Sequence, residues 1–240
     1  KDVDYGDGAM YILREGESMH SYHLPVWLGV NSETGLGEFY IDPELGSRDA
    51  VIDGQLVKDG NVTNYYSKAG ETIVGKAVPD WMGGLTNTFT YKNFDLSFMI
   101  SFQTGAKLFD YTGYFLRYSD GVRVGSFNME QEVYGNYWKQ PGDIVQHPKP
   151  IYGNPYRSDK FSSRTLVSTD NVRMREITFG YRVPISKKYI SNLRVFFKAN
   201  NPFLIYNAAG SIDPDVDVNG YRQTDTPPTK SFMFGLNFEL

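Results

Sequence analysis

Apolar and polar residues alternate through the closing stretch KSFMFGLNFEL, residues 230–240. Phe232, Phe234, Leu236, Phe238 and Leu240 fall on one side of an extended chain; Ser231, Met233, Gly235, Asn237 and Glu239 fall on the other. The same period of two recurs upstream. In NFDLSFMISFQ, Phe94, Leu96, Phe98, Ile100 and Phe102 oppose Asp95, Ser97, Met99, Ser101 and Gln103. In REITFGYRV, Ile177, Phe179, Tyr181 and Val183 oppose Glu176, Thr178, Gly180 and Arg182. In NLRVFFKANNPF, Leu193, Val195, Phe197 and Ala199 oppose Arg194, Lys198 and Asn200, with Phe196 the exception on the polar side. YHLPVWLGV (22–30) aligns Tyr22, Leu24, Val26, Leu28 and Val30, although Pro25 interrupts it, and GGLTNTFTY gives a weaker stripe of Leu85, Phe89 and Tyr91.

These patterns predict about six strands of roughly ten residues each. Strands of soluble domains are nearer five or six residues, whereas a strand tilted about 45° needs roughly 9–11 to cross a bilayer. The predicted connections alternate in length. A tight turn at Lys92–Asn93 joins strands 85–91 and 94–103, and the short link PISKKYIS joins 175–183 to 193–203. The segments 31–82, 104–169 and 204–229 are long. Short periplasmic turns and long outer loops are the rhythm of a transmembrane barrel. SFNMEQEVYGNYW, in the largest loop, offers the one short helix.

Alternating strands also build β-sandwiches, in which one face meets a core and the other meets water. What separates the two readings is the quality of the stripes: the apolar sides carry almost no charge and are dominated by phenylalanine. An arginine at the midplane of a lipid face costs roughly 2–4 kcal/mol, which would keep such a side clean. The expectation is therefore an all-β chain, an antiparallel transmembrane β-barrel segment with long extracellular loops. Phe94, Leu96, Phe98, Ile100, Phe102, Ile177, Phe179, Tyr181, Phe232, Phe234, Leu236 and Phe238 would face lipid, and Glu176, Arg182, Arg194 and Lys198 the lumen. Hydrocarbon cannot satisfy an open sheet edge, so the strands must close, and six fall below the usual minimum of about eight. The chain is expected to be part of a larger barrel.

Composition narrows the chemistry. The chain has 240 residues, a net charge of -4, 18 tyrosines, 16 phenylalanines, 24 glycines and no cysteine; its mean hydropathy is -0.42. Aromatic-rich and glycine-rich composition fits β-structure. The mild acidity and the absence of a basic run argue against nucleic-acid binding. Without cysteine there is no disulfide framework or thiolate metal site. His20, His23 and His147 are too scattered to suggest a metal centre, and no cofactor is called for. No nucleophile elbow or phosphate-binding loop points to an enzyme.

Asp213, Asp215, Asp217 and Asn219 open like a calcium loop, but Val218 stands where glycine is required and Thr224 where glutamate is. A plain solvated loop is the expectation there. Tyr111, Tyr114, Tyr118, Tyr137, Trp138 and Tyr156, with Phe115 and Tyr134 nearby, lie in the predicted outer loops. Aromatic faces stack on sugar rings and clamp peptides, so these residues are candidates for substrate or lid contact; forming the interfacial girdle of a barrel or packing the loop's own core are the competing roles.

Several longer motifs carry a resemblance. EGESMHSYHLPVWLGVNSETGLGEFY, VPDWMGGLTNTFTYKNFDLSFMISFQTG, FSSRTLVSTDNVRMREITFGYRVP, NLRVFFKANNPFLI with SIDPDV, and KSFMFGLNFEL resemble, in that order, segments of SusC/RagA-like TonB-dependent outer-membrane transporters. The resemblance implies that residues 1–240 are the carboxyl-terminal portion of a roughly 22-stranded barrel whose plug and TonB-binding segment lie outside this chain. It implies a Gram-negative outer membrane and import of glycan oligomers or peptides. The implied partners are a SusD-like surface lipoprotein as lid, TonB, the remaining barrel strands and outer-membrane lipid. Two departures stand out: the chain ends on Leu240 rather than an aromatic residue, and 198–203 reads KANNPF where relatives often carry S-G-Q-N-L-F. The alternative is a soluble, secreted β-sandwich that binds glycans through the same aromatics.

Overall fold

A computed structural model describes residues 2–44, 50–52, 55–57, 61–118, 120–123, 125–185, 192–215, 219–223 and 226–239. The chain divides into two compact units. One comprises Lys1–Val78, Lys107–Val167 and Asn219–Thr224; the other comprises Pro79–Ala106, Ser168–Val218 and Asp225–Leu240. Among the described residues, no helix is long and apolar enough to cross a membrane, which says nothing of strands.

The second unit is a five-stranded antiparallel meander: β1 (Trp81–Tyr91), β2 (Phe94–Thr104), β3 (Asn171–Arg182), β4 (Asn192–Asn207) and β5 (Ser231–Glu239). The strands run to 11, 11, 12, 16 and 9 residues, lengths that suit a tilted crossing of hydrocarbon. β1 turns into β2 through Lys92 and Asn93 alone, with Lys92 at φ 53°, as a two-residue hairpin requires. The short link between β3 and β4 falls partly on 186–191, outside the described residues.

Register carries the stripes from strand to strand. Phe94 pairs with Tyr181, Leu96 with Phe179, and Phe98 with Ile177; Phe179 pairs with Phe197, and Phe197 with Phe234. Rings meet along this face: Phe94 lies 4.6 Å from Tyr181 and 5.7 Å from Phe179, and Phe197 lies 5.0 Å from Phe234, centroid to centroid. All twelve residues expected on the apolar side share it, and none is buried. Phe234 is 83% exposed and Phe232 63%, where a sandwich would have sealed them beneath a second sheet.

The opposite face explains why the Phe196 ring sits among charged residues. Asp95 on β2 and Arg194 on β4 reach across β3 as a bidentate pair, Nε to Oδ1 at 2.9 Å and Nη2 to Oδ2 at 2.5 Å. The residue of β3 between them is Gly180, where a Cβ would stand 2.4 Å from the guanidinium and 2.5 Å from the carboxylate. Arg194 also lies over the Phe196 ring at 5.2 Å. Phe196 in turn covers Gly235, where a Cβ would come within 2.3 Å of its ring. Phe196 thus takes the polar side because a glycine on each neighbouring strand leaves it room.

One predicted strand does not join this sheet. The stretch 22–30 is divided at Val26 into Ser21–Pro25 and Trp27–Val30, which belong to different sheets. Pro25 has no N–H to continue a ladder, so the pairing ends there. The sheet therefore has five long strands where the periodicity suggests six. Both pieces belong to the first unit, whose core is Met10, Tyr11, Tyr22, Leu24 and Phe109 with Phe161 and Tyr221 packed on it. The Tyr22 hydroxyl sits between the carbonyls of Gly220 (2.5 Å) and Lys107 (3.1 Å). The segments expected as open loops are thus largely a packed unit with its own short strands. Its one α-helix among the described residues is α1, Tyr111–Leu116. In SFNMEQEVYGNYW there is only a 3-10 turn at Gln131–Val133.

Gly180→Val should break the Asp95–Arg194 bridge and destabilise the sheet by about 1–3 kcal/mol. A lowered midpoint of thermal unfolding is the expected result, with Thr178→Val, on the same face of the same strand, staying close to the parent.

Candidate functional site

Two sets of side chains carry the chemistry: the charges on the polar face of the sheet, and the aromatics of the first unit. On the sheet, Lys198 pairs with Glu176 at 2.8 Å, Arg194 with Asp95, and Arg182 is exposed at the end of β3. The four residues expected in the lumen therefore share one face with the Asp95 carboxylate.

A second ionic group was not anticipated from the sequence. Arg173 and Arg175 on β3 meet Asp213 and Asp215: Arg173 Nη2 lies 2.5 Å from Asp213 and its Nε 2.9 Å from Asp215, while Arg175 Nη1 lies 2.6 Å from Asp215. The Arg173 side chain is almost wholly buried. A β-bulge at Arg175 makes this possible. Pairing shifts between Met174 and Glu176, so Met174 and Val172 continue the apolar stripe beyond it. By unbroken alternation with Ile177, both arginines would have fallen on the apolar side. The aspartates expected to form a solvated loop are thus arginine partners; Asp217 lies outside the described residues. Among the described residues no cluster of three or more acidic or histidine side chains is placed to hold a metal ion.

In the first unit the predicted contact residues separate into several environments. Asp110, fully buried, caps α1 by accepting from the Gly113 amide and pairs with Arg117 and with Arg222 (2.6 Å). The helix directs Tyr111 and Tyr114 toward Phe115 and Phe161. Tyr114 is buried, with Arg123 donating to its hydroxyl at 3.0 Å. Trp138 donates from Nε1 to the Ser32 carbonyl at 2.6 Å and lies on Gly35, at φ 70°, where a Cβ would come within 2.3 Å of the indole. Tyr156 packs against Tyr65 at 5.0 Å, and Tyr137 lies beside Lys139 at 5.1 Å. Tyr137 is the one of the six that lines a cavity of about 460 Å³, beside Phe127, Met129 and Tyr134.

Tyr118 belongs to a stitch that draws four segments together. The Arg164 guanidinium lies between the rings of Trp27 and Tyr118, 4.5 Å from each. It pairs with buried Asp120 at 2.8 Å and donates to His147 Nδ1 at 3.1 Å. A guanidinium only donates, so Nδ1 accepts and the neutral imidazole carries its proton on Nε2. Burial, then the nearby charges of Arg164 and Arg117, push the His147 pKa down to about 4. Burial pushes Asp120 up, with Arg164 opposing it.

Comparison with known proteins gives a consistent pattern. No family model matches the chain. TonB-dependent receptor P3 of Formosa agariphila is 26% identical over 95% of this chain, and TonB-dependent receptor P26 of the same organism is 24% identical over 89%. These alignments cover 23% and 22% of the relatives, so the chain spans about a quarter of their length. Among solved structures, the RagAB peptide importer in its closed-closed state superposes with a TM-score of 0.76 at 22% identity, covering 95% of this chain and 24% of that one. Its open-open state gives 0.76 at 17% identity over the whole chain. The chain is similar to TonB-dependent receptors in sequence over nearly its whole length, and it has the fold of a segment of the RagAB importer.

His147 supplies a pH prediction. Unfolded, it titrates near 6.5; folded, it stays neutral to about 4. The unfolded state therefore binds the extra proton first, and stability present above pH 6.5 falls as pH drops toward 4, by about 3 kcal/mol in all. Asp120, with its raised folded pKa, works in the opposite sense. Amide protection factors in 134–165, taken relative to the intrinsic exchange rate at each pH, should fall from pH 7 to pH 4.5, and His147→Gln should flatten that dependence.

Proposed function

We propose that this chain is the carboxyl-terminal barrel wall and outer loops of a SusC/RagA-like outer-membrane importer. The observation that carries the reading is the five-stranded sheet, with strands long enough to cross a bilayer, one face of aligned unburied aromatics and the other of paired charges. Hydrocarbon is the solvent that suits the first face, and a hydrated passage the second. The outer edges of β1 and β5 then need neighbours, since an open edge cannot persist in lipid. A chain covering about a quarter of its receptor relatives leaves ample sequence for those strands, a plug and a TonB-binding segment.

In this reading cargo moves along the polar face while TonB supplies the energy, and a SusD-like lipoprotein closes the outer end. The chain takes no part in bond making or breaking. The cargo is an oligosaccharide or a peptide; the RagAB importer, by its name, carries peptides. Phe94, Phe98, Phe179, Phe234 and their stripe face acyl chains, and Glu176, Arg182, Arg194 and Lys198 line the passage. The secreted sandwich is disfavoured by the same exposed rings, which it would have buried.

Full-length protein carrying this chain should fractionate with outer membranes, require detergent for extraction and run with a heat-dependent gel shift. Solubility without detergent and the absence of that shift would end the reading. Within it, Phe98→Arg should lower the folded membrane fraction by tenfold or more, matching a cost of roughly 2–4 kcal/mol. Ser97→Arg, one residue away on the other face, should be tolerated; equal tolerance of both would refute the assignment of faces.

A further inference from the structure

We propose that the cavity of about 460 Å³ in the first unit is a subsite for a large apolar side chain of a peptide cargo; this rests on the importer reading and gives it a substrate class. Its volume lies within the range of small-ligand pockets. Phe127, Met129, Val133, Tyr134, Pro148 and Pro150 give it a mainly apolar wall. Tyr134 is 88% exposed, and Phe127 and Met129 are 47% and 40% exposed. An aromatic ring so open to water beside an apolar hollow is surface that an incoming apolar group would cover.

The polar groups of the wall decide between peptide and sugar. Arg117 is held by Asp110 and lies 3.5 Å from both Glu130 and Glu132. Asp120 is paired with Arg164, and His147 accepts from the same guanidinium. The carboxylates are thus engaged within the unit, whereas Arg117 Nε and His147 Nε2 are buried there without a hydrogen-bond partner. The groups left to meet a ligand are those two N–H donors, the Gln131 amide and the hydroxyls of Tyr134 and Tyr137. They suffice for the amide and carbonyl flanking one peptide side chain. A pyranose brings several hydroxyls, each a donor and a double acceptor, and most would be left without partners at a cost for each. Aromatic walls do stack on sugar rings, which makes an oligosaccharide the competitor to test.

The test uses full-length, detergent-purified transporter and three probes measured by calorimetry: a heptapeptide of glycine and serine with one central phenylalanine, the same peptide with a central serine, and maltoheptaose. The phenylalanine peptide should bind at least about tenfold more tightly than the serine peptide, the gain expected from burying one large side chain. Val133→Trp, which fills the hollow, should abolish that preference. Tyr134→Ala, a change at an exposed site that spares folding, should reduce it several-fold. Equal binding of the two peptides, no binding of the phenylalanine peptide, or maltoheptaose binding that Val133→Trp removes would each overturn the proposal. The heat-dependent gel shift of the same preparation reads the importer assignment separately, so a peptide subsite can fail while the barrel stands.

Discussion

The constraint on which this molecule depends is parity. Side chains of a strand alternate with a period of two, so a slip of one residue moves every apolar group to the opposite face. Five strands must agree, and the register keeps them in agreement: Phe89 beside Leu96, Leu96 beside Phe179, Phe179 beside Phe197, Phe197 beside Phe234. Strict alternation would fail at Arg173 and Arg175, which share the parity of Ile177. The bulge at Arg175 resets the count, so Met174 and Val172 extend the stripe and the two guanidiniums turn to Asp213 and Asp215. A local irregularity in one strand thus protects the apolar face of the whole sheet.

The polar face is built by the complementary device, the omission of side chains. Asp95 and Arg194 stand on strands that are not neighbours, and they meet because β3 contributes Gly180 between them. Gly235 does the same for Phe196, which then supports the guanidinium from one side. The first unit repeats the logic where Trp138 rests on Gly35. Its stability has a different origin, in a buried cluster around Tyr22 and Phe109 and in ion pairs such as Asp110–Arg222. Asp110 and Asp120 lie there with almost no exposure, and each is paired with arginine, because an unpaired buried carboxylate would be costly.

The long strands were legible because their signal is local. Period-two stripes, the Lys92–Asn93 turn and the short-long rhythm of connections all lie within a few residues of one another, and they correspond to β1 through β5. Apolar spacing alone misread 22–30, where Leu24, Val26 and Leu28 keep the right period but Pro25 removes a ladder donor. The Arg173–Asp213 group was hidden because it joins positions 40 apart in sequence. A signal did exist, two arginines at alternate positions and two aspartates at alternate positions, but nothing local ties one pair to the other. The tyrosines of the long segments were visible as a population and not as a geometry. Whether a ring packs inward like Tyr114 or stands open like Tyr134 is set by segments distant in sequence, among them Phe161.

The paired charges bear on where an importer of this kind would select its cargo. Asp95 with Arg194, Glu176 with Lys198, and two arginines with two aspartates each sum to zero net charge. Pairs that sum to zero stay wet and present little long-range field, while Arg182, exposed on the same face, stands outside them. Within the importer reading proposed above, such a surface suits transit better than recognition. Tyr134 and Tyr152, 88% and 90% exposed in the segments between β2 and β3, lie outside the five strands, so the alternation that fixes the sheet places no constraint on them.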